Sequence, residues 1–238
     1  MKRLVYDIEV CECKGTFWRP GYKISLSYNN VTDDARIICI AWKWEGEKKV
    51  YSDHWNRDQC DRGLVKRFLK VLHQADEIVG HNIVGFDNKW LRTRAIFHDF
   101  SMPPQLVNQD TLTMARSYFR FPSNRLDAIA KYLGVGKKIK VGYDLWHYVH
   151  LENNRKSLAD MEDYCRHDVQ VSETVWQHMM PYVPAKTHVG EIGSCPECGR
   201  WDDVIRSKKR RSVAGRNTVQ FLCKKCPKYF TVAASKLT

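Results

Sequence analysis

The sequence predicts an α/β fold, in which a mixed sheet of five strands is flanked by helices and followed by a small C-terminal unit with four cysteines. Three observations predict it. Short apolar, β-rich runs come first along the chain, helical periodicities alternate with them and then replace them, and two C-x₂-C pairs stand near the C-terminus. Strands that alternate with helices imply a sheet covered by helices. The 238 residues allow one sizeable domain and a small appendage.

Five segments are predicted as strands. Arg3–Val10 alternates in polarity and is rich in β-formers, and residues 36–44 form a nearly continuous apolar run that predicts a central strand. Residues 48–51 follow across a short turn as an antiparallel strand. Residues 77–80 and 105–110 complete the predicted sheet.

Five segments are predicted as helices, because their apolar residues recur at helical spacing. They cover residues 58–73, 85–97, 111–118, 126–133 and 155–179. Residues 14–36 are polar and turn-rich for longer than an ordinary hairpin loop, and we expect them to cover a sheet edge rather than guide a substrate strand. The predicted domains are residues 1–182 and 195–238, joined by a linker at 183–194.

The charge of the chain predicts a polyanionic partner. The formal net charge is +12, and residues 186–238 hold 12 Lys and Arg against 4 Asp and Glu, a net of +8. Clustered cations bind phosphates by displacing counterions. The sequence holds no apolar run long enough for a membrane helix and starts without a signal core, so we expect a cytoplasmic protein with no membrane partner. Nine cysteines, an odd number, favour free thiols and one metal site over disulfides.

Two carboxylates stand at the end of the first predicted strand. Asp7 and Glu9 are two residues apart, so they share one face of the strand. Such a pair is often only a solvated strand end. Here it terminates an apolar strand that should be central, where uncompensated carboxylates are costly. A divalent cation would account for the pair.

Two further groups of polar residues follow along the chain. Asn82 ends a predicted strand and Asp87 opens the next helix, a place where Asp is also common for its bonds to backbone N–H groups. Tyr164 and Asp168 lie four residues apart on a helix and project from one face, where a simple Tyr–Asp hydrogen bond is the alternative interpretation. Each group is a modest signal alone, but their order along the chain is informative.

These residues together resemble the DnaQ-like 3′–5′ exonucleases, specifically the DEDD group with tyrosine in its third motif. The family pattern is Asp-x-Glu, then Asn-x₃₋₄-Phe-Asp, then Tyr-x₃-Asp, and this chain has Asp7/Glu9, Asn82–Phe86–Asp87 and Tyr164/Asp168. The histidine form of the family would need His at position 163, which is Asp163. The resemblance spans about residues 1–182 and departs from the family at Val10, where relatives often carry Thr.

The resemblance implies a ribonuclease H-like fold and two catalytic Mg²⁺ or Mn²⁺ ions that clamp an in-line displacement at phosphorus. Asp7, Glu9, Asp87 and Asp168 are the implied metal ligands, with Asp87 acting through the outer shell. Tyr164 is the implied water-positioning group, and His167 is a bystander. Asn82 and Phe86 are implied substrate-binding residues.

The C-terminal cysteines predict a structural zinc site. Cys195 and Cys198 form one C-x₂-C pair and Cys223 and Cys226 the other, with 24 residues between the pairs. Four thiolates close a tetrahedral zinc site, so the segment is predicted to be a zinc ribbon and a catalytic zinc is disfavoured. A redox pair is the alternative.

Basic residues in two places are candidates for substrate binding. Ser207–Arg211 is predicted as a basic loop tip, so Lys208, Lys209, Arg210 and Arg211 are candidate phosphate contacts. The aromatic residues of the same segment are expected to form the core of the ribbon. Lys137 and Lys138 are further candidates, with a solvated turn as an equal alternative.

The predicted function is a metal-dependent 3′–5′ exonuclease that acts on DNA 3′ ends in replication, proofreading or repair. The predicted partner is nucleic acid, with DNA favoured over RNA, and a replicative polymerase is a candidate partner in trans. An exoribonuclease and a nucleic-acid-binding adaptor that retains a nuclease fold remain alternatives.

Overall fold

A computed structural model of the chain describes residues 2–19, 27–103, 106–136, 142, 144–184, 192–211 and 214–237. The strands form a five-stranded mixed sheet, covered on both faces, a separate three-stranded antiparallel sheet near the C-terminus and a short two-stranded pair. The described strands are β1 Arg3–Val10, β2 Lys14–Gly15, β3 Val31–Asp33, β4 Ile37–Trp44, β5 Tyr51–His54, β6 Glu77–Gly80, β7 Val107–Asp110, β8 Val204–Arg211, β9 Asn217–Cys223 and β10 Lys228–Ala233.

The described helices cover or flank the five-stranded sheet. They are α1 Arg62–Leu72, α2 Asp87–Phe97, α3 Thr111–Tyr118, α4 Leu126–Leu133, α5 Asp144–His150 and α6 Arg155–Met179. None of the helices within the described ranges is long and apolar enough to cross a lipid bilayer.

Strand β1 lies at the centre of the large sheet, whose order is β5-β4-β1-β6-β7. It pairs antiparallel with β4 and parallel with β6, and β7 continues the parallel side. Most residues of β1 and β4 are buried and none is exposed, as expected for two neighbouring strands inside a sheet covered on both faces. The predicted mixed five-stranded α/β fold is confirmed.

Side chains of β1 alternate between two separate cores. Leu4, Tyr6 and Ile8 pack with α1 and α2, in a cluster that includes Phe68 and Leu91. Val5 faces the other way, into the cluster that contains the buried residues of α6. Because alternate residues of a strand share a face, Asp7 and Glu9 are directed to the side of α6.

The element predictions hold for most of the large domain. Strand β1 and helices α3, α4 and α6 have the predicted bounds, and α1, α2, β6 and β7 lie within the predicted segments. The prediction for the third strand is wrong, because β5 begins at Tyr51 and extends to His54 instead of covering residues 48–51. Helix α5 was not predicted. The segment 14–36 contains the short β2–β3 pair, and its residues 20–26 lie outside the described part.

The basic run near the C-terminus is not a loop tip, so that prediction is wrong. Residues 207–211 belong to strand β8, where Lys208 to Arg211 pair in antiparallel register with Gln220 to Asn217. The ladder extends the strand well beyond the β-rich residues 203–206 because backbone pairing with β9 outweighs the low strand propensity of Lys. Of the predicted linker at 183–194, residues 185–191 lie outside the described part.

Candidate active site

The first two acids lie at the end of β1 that follows its buried segment. Asp7 pairs with Ala41 and Glu9 with Cys39 of β4, and the register shifts between Glu9 and Val10. Both side chains are half-buried. Ligand atoms of Asp7, Glu9 and Cys165 all lie within 4.8 Å of one another. The strand therefore presents two carboxylates side by side beneath helix α6.

Asp87, at the start of α2, is hydrogen-bonded to the backbone of the same strand. It is the first residue of α2, only 2% exposed, and its Oδ1 accepts a hydrogen bond of 3.0 Å from the backbone N–H of Ile8. Ile8 stands between the two acids of β1 in sequence, so this bond ties the Asp87 carboxylate to the same stretch of strand. The backbone N–H of Asp87 itself also bonds to this carboxylate, so main-chain groups orient it.

The turn between β6 and α2 is tight at Asn82. Asn82 has a positive φ of 62°, and a Cβ on Gly85 would lie 2.4 Å from its Oδ1. Residue 85 therefore has to be glycine for the Asn82 side chain to keep its place over the turn. Phe86, the residue before Asp87, is 39% exposed and packs edge-on against Trp90. Both of these predicted substrate-binding residues thus stand beside Asp87.

Asp110 holds this turn, a role that the sequence did not indicate. Its carboxylate accepts hydrogen bonds from the backbone of Asn82 at 3.0 Å and Val84 at 3.1 Å, while it caps α3 through Leu112 and Thr113. In sequence Asp110 looks like an ordinary N-cap residue. Only the parallel pairing of β6 with β7 brings its side chain under the turn.

Helix α6 supplies the last two predicted residues. Tyr164 is 8% exposed and hydrogen-bonds to Asp168 one turn further on. Its ring packs edge-on against Trp146 of α5, with centroids 6.0 Å apart. Between them, Cys165 is fully buried and its thiol donates to the backbone oxygen of Asp7 at 3.4 Å. The contact fixes the depth at which the helix crosses β1.

The site is an accumulation of negative charge in a buried place. Burial, then the charges of Asp87, Glu9 and Asp168, raises the pKa of Asp7 well above its ordinary value. Burial also raises the pKa of Asp87 to about 7, although backbone N–H groups bond to it. Burial and the charge of Asp168 raise the pKa of Tyr164, so the phenol keeps its proton. The charges of Glu9 and Asp7 act on Tyr164 in the same direction, so all five predicted residues are electrostatic neighbours.

The donor set fits divalent cations of the hard type. The carboxylates repel one another in a place with little water, and the raised pKa values reflect that repulsion together with burial. A cation among them would remove the repulsion, and carboxylate oxygens are the ligands that Mg²⁺ and Mn²⁺ prefer. The residues present therefore match the predicted metal site.

Four cysteines meet in the small C-terminal sheet. The thiols of Cys195, Cys198, Cys223 and Cys226 lie within 4.8 Å of one another, with 3.8 Å between the Sγ atoms of Cys198 and Cys223. A hydrogen bond from Cys226 lowers the pKa of Cys195 to about 5, and burial raises the pKa of Cys223 to about 11. The arrangement is compatible with a zinc ribbon.

The basic candidates fall in different places. Lys208 to Arg211 are exposed along β8, whereas Lys137 and Lys138 lie outside the described residues. The aromatic residues of the C-terminal sheet divide, because Phe221 and Phe230 stack at 5.5 Å whereas Trp201 is 48% and Tyr229 is 53% exposed. The prediction that they form the core is thus right for the two phenylalanines only.

Comparison with solved structures supports the fold. The chain is similar to the family B DNA polymerase from the hyperthermophilic archaeon Pyrobaculum calidifontis, with a TM-score of 0.59 and 20% sequence identity. The match covers 76% of this chain and 24% of the polymerase chain, so this protein spans about a quarter of that structure. No curated protein matches the sequence.

A family model identifies the large domain. The model described as the RNase_H superfamily matches residues 31–180, which include Asp87, Tyr164 and Asp168 and begin after Asp7 and Glu9. The matched stretch contains β4 to β7 and α6, which together form most of the sheet and the helix across it. The chain has an RNase H-like nuclease fold and belongs to the RNase H superfamily.

Proposed function

We propose that this protein is a two-metal-ion 3′–5′ exonuclease that releases nucleoside monophosphates from DNA 3′ ends, single-stranded or frayed. The observation that carries the proposal is the convergence of acids from three separate elements, with the Tyr164–Asp168 pair of α6 facing Asp7 and Glu9 of β1. Structural acids rarely gather in this way, because each raises the cost of ionising the next.

Asp7, Glu9, Asp87 and Asp168 are the residues that would hold the metal ions. Divalent ions at this place would neutralise charge on the phosphate and lower the pKa of a water molecule. Asp87 is tied to β1 by its bond to Ile8. The carboxylate is thus oriented by the backbone and needs little reorganisation on binding.

Tyr164 is suited to orient a water molecule. Its O–H is engaged by Asp168, so the phenol oxygen is left with lone pairs that accept a hydrogen bond from water. Because its pKa is raised, Tyr164 acts by position and not by giving up its own proton. Packing against Trp146 fixes the ring of Tyr164. The fixed ring would hold the water in one orientation relative to the phosphorus atom that it attacks.

Nucleic acid is the partner that this site requires, and DNA is the proposed form. The likeness to part of a DNA polymerase chain supports a replicative polymerase as a further partner in trans, with roles in replication, proofreading or repair. The Asn82–Phe86 turn beside Asp87 is the proposed contact for the terminal nucleotide, because Phe86 is exposed enough to stack on a base.

The proposal is tested with 5′-labelled single-stranded DNA, duplex DNA and RNA of matched sequence, each incubated with Mg²⁺, Mn²⁺ or no divalent ion. We expect a ladder of products that shorten one nucleotide at a time on single-stranded DNA, only with a divalent ion. A preference for RNA would show an exoribonuclease. Binding without any hydrolysis under all conditions would show an adaptor and overturn the enzymatic proposal.

We propose in addition that Cys195, Cys198, Cys223 and Cys226 hold one structural zinc ion. Four neighbouring thiols on two C-x₂-C turns leave no open ligand position, so the role is to stabilise the small sheet. Elemental analysis of protein purified without added metal should give one zinc per chain, and a Cys198→Ser, Cys226→Ser variant should lose it. Zinc retained by that variant would place the ion elsewhere.

A further inference from the structure

The strand register divides the C-terminal sheet into two faces. Residues opposite one another on neighbouring strands point to the same side, so each row across β8, β9 and β10 belongs to one face. Three rows form what we call the outer face: Ile205–Leu222–Tyr229, Lys208–Gln220–Thr231 and Arg210–Thr218–Ala233. None of these nine residues is acidic.

The opposite face forms the interior of the small domain. Val219 and Val232 are buried in one row of this inner face, and Phe221 stacks on Phe230 in the next. On the same side of the edge strand, Arg206 lies opposite Phe221, Lys209 opposite Val219 and Arg211 opposite Asn217, and all three cations are exposed. The inner face is therefore committed to packing, and the exposed cations of β8 on this side stand along its edge strand.

An irregularity in β8 determines which cations share a face. The register shifts between Arg206 and Lys208, so Arg206 lies opposite Phe221 while Lys208 lies opposite Gln220. In a strand without this bulge, strict alternation would place Arg206 and Lys208 on one side. The shift at Ser207 instead places Lys208 and Arg210 on the outer face and leaves Lys209 and Arg211 on the inner one.

Side-chain contacts agree with this assignment. The Nε of Arg210 donates to Oε1 of Gln220 at 2.8 Å, which joins two neighbouring rows of the outer face. On the same face Tyr229 is 53% exposed and Ile205 is 42% exposed, although both lie within a small domain that has few apolar residues to spare. An exposed aromatic ring and two cations thus lie together on a face that is otherwise uncharged.

We infer that the outer face binds single-stranded nucleic acid, with the ring of Tyr229 stacked on a base and Lys208 and Arg210 on phosphates. Sheet faces that pair aromatic rings with cations suit single strands, because every base can stack and every phosphate attracts a cation. Residues two apart on a strand are about 6.7 Å apart, so the two cations serve separate phosphates. The choice of ligand rests on the proposed function.

The experiment compares two double variants of equal charge. Lys208→Ala with Arg210→Ala removes the outer cations, and Lys209→Ala with Arg211→Ala removes one lysine and one arginine from the inner face. Each is made in an Asp7→Ala background that prevents hydrolysis, and binding of a labelled oligothymidine of about 20 nucleotides is measured by fluorescence anisotropy across salt concentrations. Zinc content and melting temperature confirm that each variant is folded.

We expect the outer variant to flatten the slope of log Kd against log salt by about 1.4, since each lost contact to a single strand contributes about 0.7. The inner variant should leave the slope almost unchanged. Tyr229→Ala should weaken binding about tenfold at all salt concentrations, as expected for one stacked base. Tyr182→Ala is the control and should not weaken it, because Tyr182 is 77% exposed but lies just after α6, outside the C-terminal sheet.

Equal slopes for the two double variants would overturn the inference, because unspecific attraction does not distinguish the faces. Unchanged binding in both would show that the outer face serves another partner, such as a protein, and would overturn it as well. These outcomes are independent of the hydrolysis assay. A wild-type protein that hydrolyses nothing but still binds through the outer face would contradict the exonuclease proposal and leave this one intact.

Discussion

At the scale of single residues, the candidate site depends on groups that would be unfavourable without a ligand. Asp7 and Asp87 are placed where burial and neighbouring charge raise their pKa values, and Tyr164 keeps its proton for the same reasons. Proteins maintain such arrangements at sites of function, because a bound cation or substrate supplies the compensating interaction. Binding of a cation at this site is therefore expected to lower the free energy of the folded protein.

Tyr164→Phe is expected to lower the rate of DNA hydrolysis about 100-fold, with little change in substrate affinity. The variant keeps the ring and its packing on Trp146 but loses the oxygen that would orient water. Single-turnover hydrolysis of 5′-labelled single-stranded DNA measures the rate. Tyr118→Phe, at a tyrosine that is 53% exposed on α3, is the matched control and should behave as wild type.

A rate for Tyr164→Phe within about threefold of wild type would show that the phenol does not act on the water. The water-positioning role would then have to be assigned to another group near Asp168. The metal ligands would be unaffected by that outcome, since they are tested separately.

At the scale of elements, one buried carboxylate joins three of them. Asp61 precedes α1 and is fully buried, and it accepts hydrogen bonds from Arg94 of α2 at 2.6 and 2.8 Å and from the backbone of Ile37 in β4 at 3.1 Å. His98 adds a fourth contact at 2.7 Å. The group fixes α1 and α2 against the sheet, and α2 carries Asp87 at its first residue.

Asp61→Asn is expected to destabilise the protein by about 3–5 kcal/mol at neutral pH, because it leaves a buried guanidinium without its counter-charge. Burial raises the pKa of Asp61, but hydrogen bonds from Arg94 and His98 outweigh it and hold the pKa below its ordinary value. The charged form is thus favoured in the folded state. Its contribution is fully present above about pH 4 and is lost as pH falls through the folded pKa.

Urea unfolding of wild type and Asp61→Asn at neutral and acidic pH measures this difference. The gap in unfolding free energy should shrink as the pH falls below about 4. Asp53→Asn is the control, because Asp53 pairs with Arg67 on the surface and such pairs contribute about 0–1 kcal/mol. Equal destabilisation by both variants would contradict the account of Asp61.

Secondary-structure elements with a regular apolar pattern in their own sequence were predictable. Strands that form only because they pair with a neighbouring strand were not. Helix α6 has 25 residues with regular apolar spacing and an Asn154 cap, so its bounds were readable. Strand β8 has the composition of a loop, and only its ladder with β9 makes it a strand. The bulge at Ser207, which decides the face of Lys208, leaves no sequence signal because alternation alone predicts the opposite side.

At the scale of the whole molecule, Arg3 connects the small C-terminal sheet to the large domain. Its guanidinium is buried, pairs with Glu77 and Glu45, and donates to the backbone oxygen of Glu197 between the first two cysteines. It also lies over the ring of Trp176 at 5.2 Å. Arg3 is at the opposite end of β1 from Asp7 and Glu9, so one strand links the two candidate metal sites.

Arg3→Ala is expected to loosen the small domain and to lower the unfolding free energy by about 3–5 kcal/mol, because Glu77 would remain buried without its partner. Limited proteolysis should cut residues 183–194 faster in this variant. Lys2→Ala, which removes an exposed neighbouring cation, is the control. Unchanged proteolysis of Arg3→Ala would show that the domains associate through other contacts.

The candidate catalytic residues were largely predictable from the sequence. The residues that position them were not. Asp7, Glu9, Asp87, Tyr164 and Asp168 carry a recognisable order and spacing. Asp110 under the turn of Asn82 and Cys165 beneath Asp7 come close only through strand pairing and the crossing of α6. A sequence shows which groups could react, whereas the groups that position them depend on contacts between distant segments.

The central claim is that the acids around Asp7 form a metal-dependent nuclease site. Hydrolysis of 5′-labelled single-stranded DNA by purified Asp7→Ala, beside wild type with Mn²⁺, tests it most directly. We predict loss of the product ladder together with an unchanged or higher melting temperature without metal, because a buried carboxylate of raised pKa is removed. A complete ladder from Asp7→Ala at the wild-type rate would contradict the account.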